Sequence, residues 1–209
     1  MMKLYTWGPA PNPRRVRIFL AEKNLTIPIE DVGAGAVLKP EFLAASPHKM
    51  VPALELEDGT VIGEASAICR YLEALHPEPR LFGSDPKQAA LIDMWERKCE
   101  FEGLQAVAEV FRNVLPAFGN RGMGGYEVPI PQIPALIERG TLRFQQFCRK
   151  LDAQLSKHAF VAGDAYSMAD ITALCALDFG KRARLSVPED CAHVLRWHEQ
   201  VCVRPSAKA

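Results

Sequence analysis

The chain has 209 residues, 48% of them hydrophobic and 24% charged, so it can bury a sizeable core and is not disordered. Lysine plus arginine and aspartate plus glutamate number 25 each, for a formal charge of zero. Residues 1–80 carry 9 basic and 10 acidic side chains and the remainder 16 and 15, so neither part has the field that holds nucleic acid by counterion release. The opening Met-Met-Lys-Leu-Tyr is not a basic start followed by a long apolar stretch, and no signal peptide is expected. No window approaches the roughly eighteen apolar residues of a membrane span. Cys69, Cys99, Cys148, Cys175, Cys191 and Cys202 form no C-x-x-C pair, zinc knuckle or disulfide framework. They read as buried thiols of a reducing compartment, and the expectation is a cytoplasmic protein without a metal site.

In chain order, Lys3–Trp7 is a short strand, and Pro13 to Lys23 carries Val16, Phe19 and Leu20 at helical spacing. Ile27–Val32 is a second strand and Glu41–Ala45 a short helix. Pro52–Leu56 and Thr60–Ile62 flank Glu57-Asp58-Gly59, a hairpin signal because Asp-Gly tolerates the positive φ of a tight turn. Ser66–Leu75 is helical, with Ile68, Tyr71, Leu72 and Leu75 on one face. The order is a parallel crossover unit followed by antiparallel strands, which predicts one mixed sheet with helices packed on it.

His76–Pro86 holds three prolines, a glycine and a serine and reads as a linker. Beyond it strand signals almost vanish. Lys87–Leu115 and Leu136–Leu155 are long helical runs, separated by Gly119–Pro134 with four glycines and three prolines, a loop of the length found at lids and binding rims. Ser167-Met168-Ala169-Asp170 is a capping box with Asp in place of Glu, ahead of a nearly all-apolar helix. Asp170 is therefore a cap rather than a catalytic acid. The expected architecture is an α/β domain over residues 1–78, a linker over 79–86 and an all-α domain over 87–209.

Three segments could carry chemistry. In Ala10-Pro11-Asn12-Pro13, Asn12 is a natural N-cap and Pro13 a natural first helical residue. Free amides and the positive end of the dipole there stabilise an anion such as a thiolate. In Met50-Val51-Pro52-Ala53, a proline ahead of an apolar strand can be cis, leaving the Val51 backbone exposed to pair with an extended, peptide-like ligand. In Gly63-Glu64-Ala65-Ser66, a strand-to-helix turn offers amides for a carboxylate and Glu64 for an ammonium.

Together these segments resemble the glutathione S-transferase superfamily, a thioredoxin-like domain followed by an all-helical one. The resemblance spans essentially the whole chain. It rests on Ser46-Pro47-x-x-x-Val51-Pro52, on Glu64-Ala65-Ser66-Ala67-Ile68-x-x-Tyr71-Leu72, on Ser167-x-x-Asp170 and on the ending Arg204-Pro205-Ser206. The stretch from Ala10 to Lys23 is most similar to the atypical branch of yeast and bacteria, which lacks the catalytic Ser, Tyr or Cys.

The resemblance implies glutathione as co-substrate, with no further cofactor, and a homodimer. Val51 pairs its backbone with the cysteinyl part beside a cis Pro52. Glu64, Ala65 and Ser66 hold the γ-glutamyl end, and Lys49 the glycyl carboxylate, with His48 as a neighbouring alternative. Two departures stand out: Ala65 occupies the usual serine position, and Ala10 aligns with the catalytic serine or cysteine of other classes. Tyr5 lies inside the strand, which leaves Asn12 and the helix terminus to activate the thiol. A small hydrophobic electrophile is expected between the domains, walled by Trp7, Phe111, Asn113 and Tyr126. Arg14, Arg15 and Arg17 are expected to be partly solvated and partly in salt bridges. The implied activity is conjugation in detoxification. A glutathione-dependent peroxidase or reductase, or a non-catalytic glutathione-binding regulator, is the alternative.

Overall fold

The computed structural model describes residues 2–33, 42, 46 and 49–209. The chain divides into two compact units, Met1–Pro79 with Gly124–Glu127 and Ala209, and Arg80–Met123 with Val128–Lys208.

The first unit runs β1 (Lys3–Thr6), α1 (Pro11–Glu22), β2 (Ile29–Asp31), β3 (Ala53–Glu55), β4 (Val61–Gly63) and α2 (Ala65–Leu75). The sheet order is β2-β1-β3-β4. β1 and β2 are parallel, while β1–β3 and β3–β4 are antiparallel, so the sheet is mixed as the element order predicts. Alternation along β1 and β3 buries Leu4 and Leu54 together with Ile18, Phe19, Ile68 and Leu72 of the helices. On β1, Tyr5 clusters instead with Phe42 and Ala53. The hairpin turns at Gly59, where φ is +83°. The expected helix over Glu41–Ala45 lies outside the described residues except for Phe42, which is buried.

Helix α1 begins two residues earlier than its sequence suggests. Ala10 is the N-cap in an extended conformation (φ −80°, ψ 136°) with no side-chain cap, and Pro11 is the first helical residue. Proline is suited to the first helical position, where its preset φ fits and its missing amide would have no intrahelical partner, and Pro11 takes that position ahead of Pro13. Asn12 is therefore inside the first turn and is not the cap.

Lys23, at the end of α1, is buried, and its ammonium donates to the carbonyls of His76 (2.8 Å), Pro77 (3.1 Å) and Pro79 (2.6 Å) while pairing with Glu73. These bonds satisfy carbonyls of the segment just past the end of α2. The proline-rich stretch that follows is not simply solvated: Leu81 and Phe82 are buried, and the Leu81 carbonyl accepts the Met168 amide.

The second unit is helical: α3 (Pro86–Lys98), a π-helical segment (Cys99–Leu104), α4 (Gln105–Val114), α5 (Ala135–Leu155), α6 (Met168–Arg182) and α7 (Ala192–Cys202). The predicted run over 87–115 is thus interrupted by a wider turn, where the Gln105 amide bonds the Glu100 carbonyl. α6 is buried from Met168 through Leu177, as its apolar composition predicts. All six cysteines are free thiols, five of them buried and Cys202 half-buried. No helix among the described residues is long and apolar enough to cross a membrane.

Candidate functional site

The register of the sheet gathers the three segments at one end. Tyr5 stands opposite Ala53, and Ala53 opposite Gly63. One step further along the same ladders lie Thr6, Pro52 and Glu64, at the ends of β1, β3 and β4. Trp7, Val51 and Ala65 follow them. Both α1, which follows β1, and α2, which follows β4, therefore begin at this edge. The peptide bond between Val51 and Pro52 is cis. Strand pairing ends at Ala53, so the Val51 backbone lies past the last paired residue.

The loop from Trp7 to Ala10 is held from two sides. Arg17 donates to Thr6 Oγ1 (2.8 Å) and to the Gly8 carbonyl (3.0 Å), and Asp31 accepts the Gly8 amide (3.1 Å). Arg15 is fully buried. The arginine cluster is thus not a solvated patch, because two of its members are spent on the loop and on Asn12.

The terminus of α1 presents fewer amides than a helix start normally does. The Ala10 amide bonds the Trp7 carbonyl, and Pro11 and Pro13 have none. Asn12 thus supplies the only backbone amide of the first three helical positions. Its side-chain oxygen accepts from Arg15 Nη1 at 3.1 Å. A guanidinium only donates, so this bond fixes the amide orientation and leaves Nδ2 as the donor for a ligand.

Helix α2 differs, because its first three helical positions, Ala65, Ser66 and Ala67, all carry a backbone amide. Glu64 is its N-cap at φ 61°, ψ 124°, with an exposed side chain. A non-glycine residue with positive φ costs of order 1–3 kcal/mol and is found most often where a site demands it. Ala65 and Ser66 are buried.

Lys49 also has positive φ (57°), and its Nζ is 3.0 Å from Glu127 Oε1. Its ammonium is thus paired with a carboxylate that an incoming anion must share or displace. Ser46, buried, bonds the Met50 carbonyl at 3.0 Å and fixes the approach to Val51. His48 lies outside the described residues. The Tyr5 hydroxyl donates to Glu55 at 2.7 Å, and burial together with that carboxylate pushes its ionisation upward, so it is no thiol activator.

The four expected electrophile-site residues divide between the units. Trp7, half-buried, and Tyr126, exposed, belong to the first. Phe111 and Asn113 belong to the second. The Phe111 ring packs against Phe118 (5.4 Å between centroids) and Phe179 (4.8 Å). Asn113 donates to the Glu109 carbonyl and accepts the Ile133 amide, both at 2.7 Å, so its amide group tethers the long loop. Arg17, Ser46 and Asp31 are the positioning residues that sequence reasoning missed. Ser46 stood within the quoted motif, but its target carbonyl is visible only in three dimensions.

Residues 10–75 match the family described as glutathione S-transferase, N-terminal domain, and residues 142–205 the one described as glutathione S-transferase, C-terminal domain. Glutathione S-transferase 2 of Saccharomyces cerevisiae is 36% identical over 211 residues, covering 99% of this chain and 88% of the yeast protein. The chain belongs to the glutathione S-transferase superfamily. Within it, the similarity is to the atypical branch of yeast and bacteria. The crystal structure of Gtt2 from Saccharomyces cerevisiae superposes with a TM-score of 0.87 at 36% identity, covering 99% of this chain and 98% of the other. A glutathione S-transferase domain-containing protein of Marinobacter aquaeolei gives 0.88 at 34% identity over 98% of both chains. The superfamily also holds other activities: the disulfide-bond oxidoreductase YfcG of Escherichia coli is 27% identical, covering 99% of this chain and 92% of that protein. In superfamily terms, the mixed sheet with α1 and α2 is the thioredoxin-like part, and α3 to α7 the helical part.

Proposed function

We propose that this transferase joins the sulfur of glutathione to a small hydrophobic electrophile: the thiolate attacks an electrophilic carbon, a C–S bond forms, and the leaving group departs with the bond's electron pair. The observation that carries this reading is the convergence of Asn12, Val51–Pro52 and Glu64–Ser66 at one end of the sheet. In it, Val51 pairs with the cysteinyl backbone. The first-turn amides of Ala65 and Ser66 take the γ-glutamyl carboxylate, Glu64 takes its ammonium, and Lys49 takes the glycyl carboxylate. Trp7, Phe111, Asn113 and Tyr126 are assigned to the electrophile. The same reading has the protein act in the cytoplasm, as a homodimer, in detoxification.

The energetic demand on the α1 terminus is modest. Bringing a thiol of pKa about 8.5 down to about 6.5 requires about 2.7 kcal/mol. A helix terminus contributes up to about 2 kcal/mol when partly buried. With two of its first three amides missing, the α1 terminus relies on the Asn12 backbone N–H and Nδ2 for direct bonds to sulfur, each worth about 1.5–3 kcal/mol to a charged acceptor. A cysteine-based reductase is disfavoured, because Ala10 and its neighbours offer no thiol. Glutathione itself can still reduce a peroxide at this site.

The test is a calorimetric titration with glutathione, together with the ultraviolet absorbance of its thiolate from about pH 5 to about pH 9. Saturable binding and a thiolate forming below its free range are expected. Asn12→Ala should move that ionisation upward, and Asn12→Asp further still, because a carboxylate then faces the sulfur. Absence of binding at millimolar glutathione overturns the reading, and binding without turnover of any electrophile favours a regulator.

A further inference from the structure

Among the described residues, one cluster brings together three metal-ligating side chains: Asp178 on α6, and His198 and Cys202 on α7, with one donor atom from each all within 4.8 Å of the others. His198 and Cys202 are four residues apart, so one turn of α7 stacks them on the same face. His198 Nε2 is 2.9 Å from Asp178 Oδ1, and Cys202 Sγ is 3.5 Å from Nε2 and 3.6 Å from Nδ1. All three side chains are half-buried, and Cys202 is the one cysteine that is not buried.

We propose that Asp178, His198 and Cys202, none of them among the residues assigned to glutathione, bind a divalent transition-metal ion, zinc foremost. Imidazole nitrogen, carboxylate oxygen and thiolate sulfur together suit zinc, whereas the sulfur disfavours magnesium and calcium. A tetrahedral zinc holds its nitrogen and sulfur ligands about 3.6 Å apart and its nitrogen and oxygen about 3.3 Å apart, from the usual bond lengths. The donors already stand near this spacing. His198 Nε2 is hydrogen-bonded to Asp178 Oδ1, and Sγ stands at similar distances from both ring nitrogens, so metal entry requires the carboxylate to swing off the nitrogen and Cys202 to turn about its Cα–Cβ bond.

The surroundings favour a cation. Cys202 is the last residue of α7 and Asp178 lies within the closing turns of α6, so carbonyl-rich helix ends flank the cluster. Lys181, two-thirds exposed, holds its ammonium 3.0 Å from Asp178 Oδ1, and a metal takes over that carboxylate as the lysine swings to solvent. His198 also lines a cavity of about 240 Å³ with Leu177, Leu185, Val187 and Leu195. Three protein ligands leave a fourth position for water or a small ligand. Metal-ligand spacing along the chain cannot reveal such a site, because Asp178 and His198 come from different helices.

The test uses full-length protein, reduced and freed of metal by a chelator, titrated with zinc or cobalt ions without glutathione. One equivalent is expected to bind with micromolar or tighter affinity. Cobalt should give the near-ultraviolet thiolate band and the visible bands of a four-coordinate ion. Cys202→Ser should abolish the thiolate band, and His198→Gln should weaken binding at least about tenfold. Both variants should still bind glutathione, which checks that they fold. Should either fail to fold, alkylation of Cys202 in the unaltered chain decides: zinc must slow it, as read by mass spectrometry. Absence of saturable binding, a thiolate band that survives in Cys202→Ser, or alkylation indifferent to zinc each overturns the proposal.

Discussion

The indole N–H of Trp197 donates to Asp170 Oδ1 across 2.9 Å, joining two fully buried side chains 27 residues apart in sequence. The same oxygen accepts the Val161 amide at 2.9 Å, and Oδ2 accepts both the amide and the hydroxyl of Ser167 at 3.0 Å. Four donors thus converge on one carboxylate. The capping box that starts α6 also ties α7 and the loop around Val161 to it.

Replacing Asp170 should therefore be among the most damaging single changes in the helical unit. Asp170→Ala strands four buried donors and is expected to cost about 3–5 kcal/mol. Asp170→Asn, which turns an NH₂ toward two of them, should cost about 2–4 kcal/mol at neutral pH. Urea unfolding of the full chain measures both.

Burial pushes the Asp170 carboxyl up to about 6 against the pull of its hydrogen bonds. Its unfolded value is near 3.9, so between about pH 4 and about pH 6 the folded state binds more protons than the unfolded one. This group's contribution to stability is largest below that window and falls as pH rises through it, by about 3 kcal/mol. Glu102, held low by its hydrogen bond from Lys150, acts in the opposite sense. The prediction is consequently read as the difference between the unaltered chain and Asp170→Asn. That difference should widen on acidification from about pH 6 to about pH 4; a constant difference refutes it.

At the proposed glutathione site, Glu64→Gln keeps the shape of the side chain and removes its charge. Glutathione affinity should fall about tenfold, or about 1.4 kcal/mol, if the carboxylate meets the γ-glutamyl ammonium. Ala65→Ser restores the hydroxyl common at this position in the superfamily and should tighten binding about threefold, through one added hydrogen bond worth under about 1 kcal/mol. Calorimetry on the two variants decides, and a weaker Ala65→Ser complex would mean that the buried surroundings of Ala65 cannot take an oxygen.

Lys23 closes the end of the first unit. Lys23→Met keeps the length of the stem and removes the ammonium, leaving three carbonyls and Glu73 to find other partners. A loss of about 3 kcal/mol is expected, reported by denaturant unfolding at neutral pH. The double variant Lys23→Met with Glu73→Gln should recover part of it, since no charge then remains buried without its counterion.

Close packing of α4 and α5 rests on Gly140. A Cβ there would stand 2.8 Å from the Ala106 carbonyl oxygen and 2.8 Å from Val110 Cγ2. Alanine improves helix propensity by about 1 kcal/mol, but a backbone oxygen cannot yield as a side chain can. Gly140→Ala should lower the melting temperature by about 4–8 °C, corresponding to a net loss of about 2 kcal/mol for a chain of this size.

The sequence alone determined whatever is decided within a few residues of chain: the short strand β1, the Asp-Gly hairpin, the apolar run of α6 and its capping box. Period and turn chemistry are local, so they read correctly without tertiary context. The motifs around Val51 and Glu64 likewise place a cis proline ahead of β3 and a turn between β4 and α2. Tertiary structure decided the rest. Where α1 begins depended on the extended Ala10, which turned Asn12 from a cap into a donor with a fixed orientation. The Lys23 clamp, the Trp197 bond to Asp170 and the meeting of Asp178 with His198 and Cys202 each join groups from different elements. Strand register and helix packing bring such groups within about 3 Å of each other, the range over which a hydrogen bond or metal ligand acts, and no pattern along the chain encodes that distance.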